Sequence, residues 1–152
     1  MRRVVPLCAL LAAVGAAVPS LASPPPRPGG GRVELTVVVA GLSNDEGVVR
    51  LAVCAPDTGF PRCHGRAAAN AVVPAAAGAV TARIALPPGS YAISAFHDRN
   101  NNGRLDTAMG IPREGFGFSR NPPMRMRAAT FEEARLDVDR PLRTTIRLRH
   151  IL

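Results

Sequence analysis

The chain has 152 residues, a formal net charge of +8 and a hydrophobic fraction of 47%. This length fits one domain around a single core and is short for two. A strong positive charge would ordinarily indicate nucleic acid or another anionic partner, but all 19 basic residues are Arg and they are spread along the chain. Aromatic residues on which bases stack are scarce, with one Tyr and no Trp. We therefore predict no nucleic-acid binding.

The N-terminal segment, residues 1–22, has the pattern of a secretory signal peptide. A charged start precedes an apolar run too short to span a bilayer, and small residues stand before the predicted cleavage after Ala22. The alternative, a short membrane anchor, is disfavoured by Pro19. The Pro- and Gly-rich stretch 23–31 is predicted to be an exposed linker, and the domain to span 32–152. We expect a periplasmic or extracellular monomer with no transmembrane segment after cleavage.

Two cysteines, Cys54 and Cys63, remain once Cys8 is removed with the signal peptide. An even pair in an oxidising compartment predicts a disulfide. The alternative is a metal or redox pair. It is disfavoured because the eight intervening residues do not match the two-residue spacing of redox motifs, and His64 is the one histidine nearby.

From residue 32 onward, apolar and polar residues alternate in the way that β-strands require. The predicted strands, in chain order, are 33–39, 48–54, 80–86, 90–97, 131–138 and 144–148. Turn residues at 44–47 predict that the first two strands form a hairpin. The Ala-rich stretch 67–79 is predicted to be irregular or a weak edge segment, and 90–97, apolar on both faces, to be a central strand. The sequence therefore predicts an all-β fold, a single small β-sandwich, transthyretin-like or immunoglobulin-like, with a long loop, 98–130, between central strands.

Residues 98–106 read Asp-Arg-Asn-Asn-Asn-Gly-Arg-Leu-Asp and match the front half of an EF-hand-type calcium loop. Alternate side chains of such a loop point inward, so oxygen ligands are expected at every second position. The predicted metal ligands are Asp98, Asn100, Asn102, the carbonyl of Arg104, and Asp106. Gly103 supplies the sharp turn.

The match ends where the bidentate Glu of such a loop is expected, because Met109 stands there. Glu114 is a candidate for the additional ligand. With Asp98 and Asp106 as the carboxylates, we expect weak calcium binding, with a Kd of about 10⁻⁴ to 10⁻³ M. The alternative is a metal-free turn in which the Asn and Asp side chains accept hydrogen bonds from nearby backbone amides.

The apolar residues that follow, Ile111, Phe116 and Phe118, are predicted to fold back and cap one end of the sandwich. This would bring Arg113 and Glu114 close to the Asp/Asn loop, as residues 98–106 are called below.

Three segments, 86–106, 110–119 and 130–134, resemble the bacterial family known as domain of unknown function 2141. The first includes the turn Pro88-Gly89-Ser90-Tyr91 before a strand, and the likeness runs from about 33 to 148. The resemblance implies an exported β-sandwich, similar in outline to transthyretin-like modules, and no established activity.

An enzyme, such as a hydrolase, would use His97 and Glu114, but there is no nucleophile motif such as Gly-x-Ser-x-Gly. We therefore predict no catalytic residues and a non-enzymatic module. Two hypotheses follow. One is a module stabilised by calcium, and the other is a metal-free module that binds a cell-envelope protein or a glycan through an apolar or Arg-lined patch near Met124 and Met126.

Overall fold

In the computed structural model, residues 31–152 are described. The predicted signal peptide, 1–22, and all but the last residue of the predicted linker, 23–31, lie outside the described residues. The strands are β1 (Val33–Leu42), β2 (Val48–Cys54), β3 (Ala69–Pro74), β4 (Gly78–Leu86), β5 (Gly89–Asp98), β6 (Thr107–Ala108), β7 (Ile111–Pro112), β8 (Phe116–Phe118), β9 (Arg135–Val138) and β10 (Leu142–Arg147). A one-turn helix, α1 (Phe131–Ala134), precedes β9, and a 3-10 turn spans Cys63–Gly65.

Two sheets face each other across one core, which confirms the predicted all-β sandwich. One sheet has the order β10-β1-β4, and the other has the order β3-β2-β5-β8, with β9 also paired to β5. β1 and β10 are parallel, whereas the other neighbours in the two sheets are antiparallel. The strand predicted to be central, β5, has partners on both edges. The β6–β7 hairpin forms a separate small sheet.

The core is built from the alternation seen in the sequence. Leu35, Val37 and Val39 of β1 are fully buried, and Val49 and Val53 of β2 face them from the opposite sheet. The burial of each such side chain contributes about 1.5 to 3 kcal/mol to the stability of the fold. No Phe belongs to the buried core of the described residues.

The predicted hairpin of the first two strands is wrong, because β1 and β2 lie in different sheets. β1 pairs with β4 and β10, and β2 pairs with β3 and β5. The residues between them carry the chain from one sheet to the other. Alternation predicts which face of each strand lies on the core, but it does not predict which strands pair. The same alternating pattern fits two strands paired in one sheet and two strands in facing sheets.

The prediction for 131–138 is half wrong, since its first half is the helix α1. Thr130 caps the helix by accepting from the amide of Glu133, whose side chain accepts in return from the amide of Thr130.

The Ala-rich stretch contains β3, an edge strand. Ile111 does not cap the sandwich as predicted, because its side chain is exposed on the β6–β7 hairpin.

The two sheets are joined along one side by β8. Phe116 and Arg149, which follows β10, exchange backbone hydrogen bonds of 3.1 and 2.8 Å. Gly117 faces inward at this seam, where an added Cβ would lie 2.7 Å from the carbonyl oxygen of Arg147. Only Gly fits here, because any side chain would press on backbone.

Candidate functional site

The Asp/Asn loop begins at Asp98, the last residue of β5, which is completely buried. Its Oδ1 accepts from the amide of Asn102 at 2.9 Å, and its Oδ2 accepts from the amide of Gly103 at 2.8 Å. Gly103 has a φ of 83°, in the left-handed region that Gly adopts without strain. The loop is thus curled back onto its own first residue.

The other end of the loop closes onto the same point. The carboxylate of Asp106 accepts from the side-chain amides of Asn100 and Asn102 at 2.7 and 2.8 Å. The side-chain oxygens of those two residues accept from the amides of Asn102 and Arg104 at 3.2 and 3.0 Å. The structure therefore brings the four side chains that spacing predicts into one turn, and Arg104, which lies between Asn102 and Asp106, contacts Asn102 through its backbone amide.

A residue that the sequence analysis missed, Arg50, completes the loop. Its Nε donates to Asp98 Oδ2 at 2.5 Å and its Nη2 to Asn101 Oδ1 at 2.8 Å. Arg50 lies on β2 opposite Phe96 of β5, so its side chain shares a face with Asp98. No local motif indicates this contact, because it depends on how β2 and β5 are paired.

Both carboxylates of the loop are held in the charged form. Burial acts to raise the pKa of Asp98, but hydrogen bonds from Arg50 and from the amides of Gly103 and Asn102 outweigh it, so the pKa is lowered. The pKa of Asp106 is lowered by the side-chain hydrogen bonds of Asn102 and Asn100.

The predicted additional ligand, Glu114, is placed beneath the loop. It is 3% exposed, and its two oxygens accept from the backbone amides of Arg99 and Asp106 at 2.9 and 3.0 Å. These amides belong to the two ends of the Asp/Asn loop. Glu114 is therefore a brace that holds both ends, and its carboxylate is directed at backbone.

His97 is fully buried on the core side of β5. Its Nε2 lies 2.7 Å from the carbonyl oxygen of Glu46, and its Nδ1 has no hydrogen-bond partner within residues 31–152. In that same range no hydrogen bond joins His97 to Glu114, whose oxygens are both engaged. The two residues are thus arranged as separate structural contacts.

A polar cleft of about 250 Å³ lies beside the loop. Its lining residues are Glu46, Arg99, Asn100, Asp106, Arg113 and Glu114. Across the described range, no group of three or more His, Cys, Asp and Glu side chains is placed to hold a metal ion. A cation at the Asp/Asn loop would therefore need amide oxygens in addition to carboxylates.

The outer face of the larger sheet carries an aromatic cluster. The rings of Phe60 and Phe118 are 5.5 Å apart, and those of Phe116 and Phe118 are 5.9 Å apart, both edge to face. Phe96 adjoins them, since it pairs with Phe116 across β5 and β8. Phe60 belongs to the segment 55–62, called the disulfide loop, which the Cys54–Cys63 bond closes over this face.

Between the disulfide loop and the Asp/Asn loop, the same outer face forms a groove of about 230 Å³. Phe96 and Val72, which pair with Arg50 on either side, are large apolar residues of the groove on this outer face. Ser94 in the groove donates to the carbonyl of Pro61 in the disulfide loop at 2.9 Å. The residues that line the groove are Arg50, Leu51, Ala52, Asn70, Ala71, Val72, Ser94, Phe96 and Gly103.

The patch predicted near Met124 and Met126 is exposed. Its arginines, however, are paired: Arg125 and Arg127 lie 3.6 and 2.8 Å from the carboxylate of Glu133. The hydrogen bond from Arg127 lowers the pKa of Glu133 to about 2. This surface is apolar, and its two arginines share one carboxylate.

Fold and site together define a small β-sandwich domain with a braced Asp/Asn loop at the end of a central strand. The chain belongs to the family described as uncharacterized protein conserved in bacteria (DUF2141), which it matches over residues 37–146. Comparison with curated proteins and with solved structures returns no match. Among residues 31–152, no helix has the length and apolar character needed to cross a membrane.

Proposed function

We propose that the protein is an exported, monomeric and non-enzymatic β-sandwich module whose Asp/Asn loop binds a calcium ion. One observation carries this proposal. The side-chain amides of Asn100 and Asn102 donate to Asp106, and Asp98 accepts from the backbone amide of Asn102, so the side-chain oxygens of all four residues lie around one turn, as calcium coordination by a curled loop requires.

The hydrogen bonds within the loop leave oxygen lone pairs for a cation. A carboxylate or amide oxygen has two lone pairs. Oδ1 of Asp98 accepts one hydrogen bond, as do the side-chain oxygens of Asn100 and Asn102 and each carboxylate oxygen of Asp106. Each of the four side chains can therefore offer at least one oxygen at the ~2.3 to 2.6 Å that calcium takes.

The ion pair of Arg50 with Asp98 sets the expected affinity. Oδ2 of Asp98 is saturated by Arg50 and the amide of Gly103, so Asp98 has one oxygen to offer. Arg50 also offsets one of the two negative charges of the loop. Weak binding, with a Kd of about 10⁻⁴ to 10⁻³ M, is the expectation for so few carboxylates.

Calcium titration by calorimetry tests the proposal, with Asp106→Asn as the informative variant. Asp98 is less suitable, because its replacement would leave the Nε of Arg50 and two backbone amides without an acceptor whether or not calcium binds. Asp106 is half-buried and contacts the loop only through hydrogen bonds from side-chain amides. Asp139→Asn is the matched control, since it removes the same charge at an exposed site between β9 and β10.

For a chain that begins at residue 23, we expect one calcium ion to bind, and the Asp139→Asn variant to bind it equally. At about twenty times the Kd, the ion should raise the free energy of unfolding by about 2 kcal/mol. Asp106→Asn should weaken binding about tenfold. If the wild-type chain gives neither heat nor a shift in melting up to about 10 mM calcium, the proposal fails.

A second candidate function, metal-free glycan binding, is favoured by the groove on the outer face. Sites that bind small ligands such as sugars combine apolar walls with a few fixed polar side chains. In the groove, Phe96 provides an apolar wall, and Arg50 and Asn70 provide polar side chains. The groove volume of about 230 Å³ suits a single ring. The loop needs no ion in this case, because Arg50 and Glu114 already hold it.

NMR titration with envelope-derived oligosaccharides separates the two candidates. Glycan binding predicts shifts of the Asn70 side-chain amide and of the Phe96 ring protons that persist in a calcium chelator. In Phe96→Ala, the Asn70 shift should be lost. Shifts confined to the Asp/Asn loop, or none at all, would rule out the groove as the glycan site.

A further inference from the structure

The β6–β7 hairpin, residues 107–112, carries an apolar residue where hairpins usually carry a polar one. Its two turn residues, Met109 and Gly110, have φ of 50° and 79°, as a two-residue type I′ turn requires. Asn or Asp is preferred at the first of these positions, and Met is strained there. Met109 is nevertheless 103% exposed, so packing within the domain does not offset the strain.

A second apolar side chain, Ile111, extends this tip. It is 41% exposed, one residue beyond the turn. Residues 107–112, called the apolar hairpin, thus present two large apolar side chains to solvent at a point that stands outside both sheets of the sandwich. Apolar surface that serves no core is typical of a contact with a partner or a membrane.

Exposed arginines surround the base of the apolar hairpin. Arg113 follows β7 directly, Arg99 donates from Nη2 to the carbonyl of Arg113 at 3.5 Å, and Arg104 lies in the loop that leads into β6. Within residues 31–152, none of the three has a carboxylate within 4.0 Å. Their guanidinium groups are therefore available to an anionic partner.

The carboxylates near this base face inward or are already engaged. Asp98 and Glu114 are buried, and Asp106 is half-buried with both oxygens bonded to amides. Glu46, across the polar cleft, is exposed, as is its neighbour Asp45, and Glu46 accepts from the side chain of Asn44 at 3.1 Å. The outward-facing charge at the base is thus mainly positive.

The other fully exposed Met offers a contrast. Met126 is 107% exposed, but its neighbours Arg125 and Arg127 are paired with Glu133. Those two arginines share the carboxylate of Glu133, whereas the three arginines at the base of the apolar hairpin have no carboxylate within 4.0 Å among residues 31–152. The apolar hairpin therefore combines exposed apolar side chains with free guanidinium groups, which is the combination that binds the interface of an anionic bilayer.

We propose that the apolar hairpin binds the surface of an anionic phospholipid bilayer. Met109 and Ile111 enter the boundary between headgroups and acyl chains, and the arginines contact lipid phosphates from the base. Two apolar side chains alone anchor weakly, so binding is peripheral and reversible. The proposal requires no calcium in the Asp/Asn loop.

Sedimentation with vesicles tests this, using a chain that begins at residue 23, which contains the whole described fold. The vesicles are phosphatidylcholine alone or mixed with phosphatidylglycerol, in EDTA. Met109→Asn is the decisive variant, because it removes the apolar tip and installs the residue that a type I′ turn prefers, so the hairpin is retained. Met126→Asn is the matched control at an equally exposed Met.

We expect wild type and Met126→Asn to bind the phosphatidylglycerol vesicles alike, and Met109→Asn to bind about tenfold more weakly with an unchanged or higher melting temperature. Replacing Arg99 and Arg113 with Gln should also weaken binding, and vesicles without phosphatidylglycerol should bind at least tenfold less. Equal binding of Met109→Asn and wild type would overturn the proposal. So would the absence of vesicle binding, which would leave an acidic protein as the partner for this surface.

Discussion

Replacing Glu114 with Ala tests whether this residue is the brace of the Asp/Asn loop or a ligand to a metal. The substitution leaves the amides of Arg99 and Asp106 without their acceptor. Hydrogen bonds to a charged group are worth about 1.5 to 3 kcal/mol each, and taking the lower value for amides at the edge of a cleft gives a loss of about 3 kcal/mol. For a domain of this size, that lowers the melting temperature by roughly 10 °C.

The measurement is thermal unfolding followed by circular dichroism, with and without a calcium chelator. A brace stabilises the loop whether or not calcium is bound, so the drop in melting temperature should be the same with and without the chelator. Glu114→Gln should lose about half as much, because its remaining oxygen still accepts from one amide. Glu132→Ala, at an exposed carboxylate on α1, is the control and should change little.

The reasoning is refuted if Glu114→Ala melts like wild type in the chelator and differs from it only when calcium is added. That result would make Glu114 a ligand whose oxygens leave the backbone when the ion binds.

Three other predictions concern the same framework. Gly47→Ala should lower the free energy of unfolding, measured with urea, by about 3 kcal/mol, because Gly47 has a φ of 69° and an added Cβ would clash with the carbonyl of Asp98. Gly103→Ala, which has open space around it, should lower it by only about 1 kcal/mol. Reducing the Cys54–Cys63 bond should lower the free energy of unfolding by about 2.5 kcal/mol, and a variant with both replaced by Ser should not respond to reductant. The pKa of Asp98 is lowered from 3.8 on folding, so the ionised carboxylate stabilises the fold fully above pH 3.8 and this stabilisation is lost as the pH falls through the folded-state pKa. An acid titration in which the free energy of unfolding does not fall below about pH 4 would contradict this prediction.

The strands that could be predicted are those with one face on the core. In β1, β2, β4 and β5 every second side chain is apolar, and the structure places those side chains inside. The same rule cannot choose partners, which is why β1 and β2 were expected to pair and do not. It also misassigns 131–134, where the capping pair Thr130 and Glu133 decides the local structure.

The Asp/Asn loop could be predicted from spacing alone, because its convergence is set by residues close together in sequence. Arg50 could not, since its contact with Asp98 requires the register of β2 against β5. The sequence singles out Glu114 as a metal ligand, because it is a carboxylate close to a calcium-like loop. In the structure its burial and its two backbone partners make it a support of that loop.

The parallel pairing of β1 with β10 joins the first strand of the domain to the last. Leu35 of β1 lies opposite Leu142, and Ala40 lies opposite Arg147. During synthesis, one edge of β1 therefore has no neighbour until β10 has left the ribosome. Contacts of such long range form late and slowly, so a nascent chain stays open over most of its translation. A truncation that removes β10 should accordingly leave a chain that does not close its sandwich at all.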